Sequence, residues 1–192
     1  MNKVVVFVGL LTKYQGIDLL LEAIPLVAQE VPNAKFLIIG YPNEELHREK
    51  ARALGLEQWT HFTGKIPYEQ VPRYLSLADV AVSPKISTTE ANLKLFTYMA
   101  MGLPTVVFDN PVNREILGDL GIYARMGDIK SLAEALVCVL RDQEWAAQLG
   151  ARVRQKAAEE YSWLGVGKRL CDIYNSIASA SQGKWLRKGA HA

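Results

Sequence analysis

The sequence predicts an α/β fold: a doubly wound parallel sheet of about six strands, helices on both faces, and further helices at the C-terminal end. Three observations predict it. Short β-branched runs alternate with longer helical patterns from Val4 to Leu140; those runs are apolar without alternation, as strands covered on both faces are; and beyond Asp142 the pattern is helical only. Repeated strand–helix units with right-handed crossovers imply parallel neighbours.

The first strand is Val4 to Val8, closed by Gly9, and a helix from Ile17 to Val31 follows Gly16. Pro25 lies inside that helix, where it lacks a donor and crowds the preceding turn, so a kink or a shortened first part is expected. Lys35 to Ile39 with the charged helix Glu44 to Leu54 makes the second unit, and Thr60 to Phe62 with Tyr68 to Leu77 the third. Next come Val80 to Val82 with Leu93 to Met101, Thr105 to Phe108 with Val112 to Leu117, and Ile122-Tyr123 with Ile129 to Leu140. The last two helices are Glu144 to Glu160 and Leu164 to Ile177, separated by Tyr161-Ser162-Trp163 with Ser162 as the expected N-cap. Residues 1–180 read as one domain. Residues 181–192 lack periodicity and are expected to form a mobile tail.

The chain has 192 residues, 49% of them apolar, which is enough for a substantial core. Its 22 basic and 20 acidic residues nearly balance, so no electrostatic footprint argues for nucleic acid. No run approaches the roughly 20 apolar residues that span a bilayer, and no transmembrane segment is expected. Cys138 and Cys171 fall on apolar positions of predicted helices, which predicts buried thiols and a reducing, cytoplasmic setting. His47 and His61 match no metal-ligand spacing and read as structural, and no Ser-His-Asp order is legible.

In an open sheet of strand order 3-2-1-4-5-6, ligands sit beyond the carboxyl ends of the strands between the first and fourth. Two loops therefore matter. Gly9 to Gly16 contains Thr12, Lys13 and Gln15; its glycines either admit a ligand close to backbone or simply make turns. Pro84 to Lys94 is rich in hydroxyls and runs into a helix start, around Asn92 to Leu95, where unpaired amides and the helix dipole suit a phosphate. Lys94 sits in the first turn, where its charge opposes the dipole and asks for a compensating anion. Glu90 is either an acceptor for sugar hydroxyls or a carboxylate stabilising the helix start. Neither loop holds a Gly-x-Gly-x-x-Gly fingerprint or a Walker lysine, which disfavours a dinucleotide dehydrogenase and a P-loop NTPase.

The order and spacing of several segments resemble the C-terminal, donor-binding domain of retaining family 4 glycosyltransferases, which have the two-domain, Rossmann-like GT-B fold. The segments are Phe7-Val8-Gly9 with Gly16-Ile17-Asp18-Leu19-Leu20, Phe36 to Gly40, Phe62 to Ile66, Ala78-Asp79-Val80 before Ser83-Pro84, Met99-Ala100-x-Gly102-x-Pro104, Arg114-Glu115-Ile116 and Tyr161-Ser162-Trp163. The resemblance implies a UDP- or GDP-sugar donor as substrate, with no metal and no other cofactor required. It places the base near Gly40, Tyr41, Lys65 and Ile66, and the diphosphate near Asn92 and Leu95. The sugar would pass, with retained configuration, to an acceptor hydroxyl held by an N-terminal domain or partner subunit that this chain lacks. Activity of the chain alone is accordingly not expected, and any peripheral membrane location would come through the missing half.

Departures from the family pattern accompany the matches. Leu10 and Gln15 stand where members commonly carry phosphate-contacting Arg and Lys, and Lys13 and Lys94 are the available substitutes. With the register fixed on Met99-Ala100, the paired glutamates of the family fall on Thr89 and Thr97. Glu90 lies one step from the first, and the ribose contact of the second must come from Thr97 or be lost. These losses keep a non-catalytic scaffold or interaction domain as the alternative reading.

Overall fold

A computed structural model describes residues 2–188, with side chains described for 2–179. The described residues up to Arg154 form one compact unit and those from Gln155 onward a second. The first unit contains one six-stranded sheet of order β3-β2-β1-β4-β5-β6, in which every neighbouring pair is parallel. The strands are β1 (Lys3–Val8), β2 (Ala34–Ile39), β3 (Thr60–Gly64), β4 (Val80–Ser83), β5 (Thr105–Phe108) and β6 (Ile122–Ala124). Order reverses between β1 and β4, which is the predicted switch point.

Helices α1 (Ile17–Glu30), α2 (Glu44–Ala53), α3 (Val71–Leu75), α4 (Lys94–Ala100), α5 (Pro111–Leu117) and α6 (Ile129–Arg141) connect and follow the strands. The centre of the sheet is dry. Val5, Val6 and Phe7 of β1 and every residue of β4 and β5 are buried, as expected of strands covered on both faces. β1 aligns with β2 over six residues, from Lys3 opposite Ala34 to Val8 opposite Ile39, so both strands end level at the site.

α1 runs uninterrupted through Pro25, where shortening was one expected outcome. Its face of Leu20, Leu21, Ala23, Ile24, Val27 and Ala28 is buried, and that burial outweighs the one missing backbone bond. The predicted helix from Tyr68 to Leu77 is instead a 3-10 turn, Tyr68–Gln70, followed by α3, because Pro72 suits a first helical turn and not an interior. α4 begins at Lys94, so Leu93 precedes it, and the helix has seven residues.

The expected burial of the cysteines does not hold: Cys138 and Cys171 are free but exposed. α6 buries Leu132, Ala133, Leu136, Val139 and Leu140, and Cys138 lies two residues past Leu136, about 200° round the helix. Burial therefore gives no ground for the inferred reducing compartment.

α7 (Gln143–Glu160) and α8 (Trp163–Lys188) complete the described chain. Ser162 caps α8 as predicted, its Oγ accepting the Gly165 amide at 3.1 Å. Of the expected tail, 181–188 continue α8 and 189–192 lie outside the described residues. No helix among the described residues is long and apolar enough to cross a membrane.

Candidate functional site

The chain leaves β1 at Gly9 and folds back through Thr12, a 3-10 turn at Lys13–Gln15, and Gly16. Gly16 has φ +75°, and a Cβ there would lie 1.8 Å from the Pro84 carbonyl oxygen. Only glycine lets the two backbones come this close. The Ile86 amide donates to the Tyr14 carbonyl at 3.0 Å, and the Lys94 ammonium donates to Gln15 Oε1 at 2.6 Å. The loops after β1 and β4 thus meet at three points, one at backbone contact, one by a backbone bond and one by side chains.

The next strand joins the same surface. Leu11 donates its amide to the Tyr41 carbonyl at 3.1 Å, and Asn43 Nδ2 donates to the Leu11 carbonyl at 3.2 Å. The Gly40 amide reaches the Gly64 carbonyl at 3.2 Å, and Lys65 sets its ammonium 4.9 Å from the Tyr41 ring centre. The strand ends of β1, β2, β3 and β4 therefore form one continuous rim.

Beneath the rim, a neutral polar network holds the entry to α4. Asn92 Nδ2 donates to Ser83 Oγ at 3.1 Å and to Asn113 Oδ1 at 3.0 Å, and Asn113 Nδ2 donates to the Phe108 carbonyl at 2.8 Å. Ser83, Asn92 and Asn113 are all buried. A fully satisfied network of this kind fixes one arrangement, because any slip would strand a buried polar group.

Two lysines behave differently here. Lys85 is buried, and its ammonium donates to the Glu90 and Ala91 carbonyls at 3.2 and 3.3 Å while Glu90 Oε2 lies 3.4 Å away. Its charge closes its own loop. Lys94 is half-buried, with its ammonium 4.5 Å from the Phe7 ring centre and pressed so close to Gly9 that a Cβ there would lie 2.7 Å from Nζ. Desolvation, with repulsion from Lys85 second, pushes the Lys94 pKa down to about 7. No carboxylate among the described residues pairs with it. In the loop that carries Gln15, Thr12 Oγ1 is the buried side-chain polar atom among the described residues without a partner. A desolvated cation and an unsatisfied hydroxyl on one rim are what an oxyanion ligand would complete.

Residues 2–142 match the family model described as glycosyl transferases group 1. The chain belongs to this family. Among curated relatives of this group 1 glycosyltransferase domain, the phosphatidyl-myo-inositol mannosyltransferase of Mycobacterium leprae (strain TN) is 30% identical over 186 residues, covering 94% of this chain and 48% of that protein. The chain spans about half the length of the curated relatives it matches. Among solved structures, Anabaena HepE in complex with UDP has a TM-score of 0.79 at 20% identity, covering 91% of this chain and 49% of that one. Sucrose-phosphate synthase from Thermosynechococcus elongatus has a TM-score of 0.78 at 23% identity, covering 93% and 46%. The doubly wound sheet is thus that of one domain of a GT-B glycosyltransferase.

In this glycosyltransferase domain, Gly9, Thr12, Lys13, Gln15 and Gly16 lie in the β1 loop, and Glu90 and Lys94 in and after the β4 loop, with Lys94 touching Gln15 and Gly9. Gly40, Tyr41, Lys65 and Ile66 group at the ends of β2 and β3. Asn92 and Leu95 are buried, and the Leu95 amide is taken by the Asn92 carbonyl at 3.0 Å, so these two bring no free side chain to the rim. Thr97 is half-buried, one turn beyond Lys94 on α4. Sequence reasoning did not single out Asn110 and Asn113, and it named Ser83 only within the Ser83-Pro84 segment. Asn110-Pro111, an N-cap followed by proline, was a usable signal; nothing local marked Asn113. No group of three or more His, Cys, Asp or Glu among the described residues is placed to hold a metal ion.

Proposed function

We propose that this chain is the donor-binding domain of a retaining hexosyltransferase of the family 4 type, and that it takes a UDP- or GDP-sugar without a metal. The observation that carries the reading is the convergence of the β1 and β4 loops on Lys94, an ammonium with no anionic partner among the described residues. HepE, whose structure is a complex with UDP, shares the fold, and that likeness supports a nucleotide-sugar donor. Lys94 and the amides of Gly9 to Gly16 take the diphosphate, with Thr12 Oγ1 as a further donor. Stabilising charge on the departing diphosphate is electrostatic catalysis by groups already in position. Glu90 accepts from a sugar hydroxyl, Thr97 faces the ribose, and Tyr41, Lys65 and Ile66 flank the base.

Transfer also needs an acceptor hydroxyl held against the sugar, and orientation of two reactants is worth several powers of ten in rate. The acceptor therefore comes on a second domain or subunit, which also sets any cytoplasmic or membrane-peripheral location. Calorimetric titration with UDP-glucose and GDP-mannose tests donor binding. Heat with either supports it. Absence of heat at about millimolar ligand, a free energy no better than about −4 kcal/mol, overturns it in favour of a non-catalytic scaffold. Leu10, Gln15 and Thr97 are the residues that would then mark the loss.

A further inference from the structure

The rim holds an ammonium that is desolvated beside a second cation, Lys85, and that no carboxylate among the described residues offsets. Lys94 lies against the Gly9 backbone, and the two contacts that favour its charge among the described residues, the Phe7 ring centre at 4.5 Å and the Gln15 carbonyl oxygen at 2.6 Å, carry no full negative charge. The groups around it supply no negative charge. On β1, Phe7 and Gly9 carry none; in the β1 loop, Gln15 is neutral and Lys13 is exposed and cationic; in the β4 loop, Lys85 is cationic and itself engaged by Glu90; on α4, the Tyr98 hydroxyl accepts the Val8 amide at 2.8 Å. A half-buried amine so placed gains its proton when an anion replaces the missing counter-charge.

We infer that Lys94 takes up a proton as the donor diphosphate binds, so that nucleotide-sugar affinity is set by pH through this one amine. The inference rests on the reading that the rim takes a nucleoside diphosphate sugar, and it adds a proton to that binding step. The proton comes from solvent buffer and forms an N–H bond on Nζ; no other bond changes. Its lowered pKa of about 7 puts the half-protonated point of the empty site in the physiological range. Above that point the dissociation constant should rise about tenfold per pH unit, the slope of one linked proton. A diphosphate diester does not titrate in this range, so the ligand contributes no slope of its own.

The test is titration of the full chain with UDP-glucose and with GDP-mannose between about pH 6 and about pH 8.5, in buffers of differing ionisation enthalpy. Proton uptake approaching one at the alkaline end, with a parallel loss of affinity, supports the inference. Lys94→Arg, whose charge is fixed, should bind with a flat pH profile and no buffer-dependent heat. Binding by the wild type with no proton uptake and constant affinity overturns the inference and leaves the donor reading standing. So does a slope that persists in Lys94→Met. Failure of the wild type to bind either nucleotide sugar at any pH instead overturns the donor reading itself, and the proton with it.

Discussion

Lys94 and Gly16 show how single side chains make the rim, one by presence and one by absence. Replacing Lys94 with Ala removes the uncompensated cation, so nucleotide affinity should fall roughly 10- to 100-fold, the 1.5–3 kcal/mol of a charge-assisted hydrogen bond. Its melting temperature should barely move, because the lost hydrogen bond to Gln15 is offset by relief of a desolvated charge. Parallel calorimetry and thermal melts check both. Gly16→Ala acts the other way. A Cβ 1.8 Å from the Pro84 oxygen at φ +75° must push the two loops apart, costing at least about 1–3 kcal/mol in denaturant unfolding. Gly16 was visible in the sequence as a turn residue beside the switch point. That its hydrogen faces Pro84, 68 positions away in the chain, was not, since no local pattern encodes a contact between separate loops.

The elements stand on caps and on the network beneath the rim. Asn113→Ala would take from the Phe108 carbonyl its Asn113 donor and from Asn92 Nδ2 one of its two acceptors, Ser83 Oγ remaining, which should cost about 1–3 kcal/mol by denaturant unfolding. Asp128 caps α6: its Oδ1 accepts the Ser131 amide at 2.9 Å and its Oδ2 accepts from Arg125 at 2.8 Å. The Ser131 amide first, and Arg125 next, hold its carboxyl below the ordinary carboxylate range. A carboxylate whose pKa is depressed on folding adds stability above its unfolded pKa and loses it as pH falls through the folded one. Asp128→Asn keeps the capping acceptor and removes that dependence, so the difference from wild type should shrink as pH falls below about 4. Thermal melts at graded pH measure it. Strands, helices and the Ser162 cap were legible because each is a local pattern of apolar spacing and capping. α3 was over-extended because Pro72 inside an apolar run does not announce that a 3-10 turn precedes it.

At the scale of the molecule, the sheet order brings two segments far apart in sequence to one place. Nucleotide sugar should therefore slow amide hydrogen exchange in 9–16 and 84–94 together, while α6, on the far side of β6 in sequence, changes little. Protection confined to one segment would contradict a shared site. The alternation of apolar runs and helical patterns was enough to determine a doubly wound parallel sheet, because buried strands and crossover handedness leave few alternatives, while the order β3-β2-β1-β4-β5-β6 that sets the switch point is read from the structure. Family membership was likewise written in ordered motifs along the chain. Only the tertiary structure decided that Lys85 is consumed by its own loop while Lys94 faces Gln15 and Gly9 without an anion. It decided, too, that Cys138 points outward. The reason is physical: burial and charge pairing depend on which side of an element meets its neighbours, and those neighbours are distant in sequence.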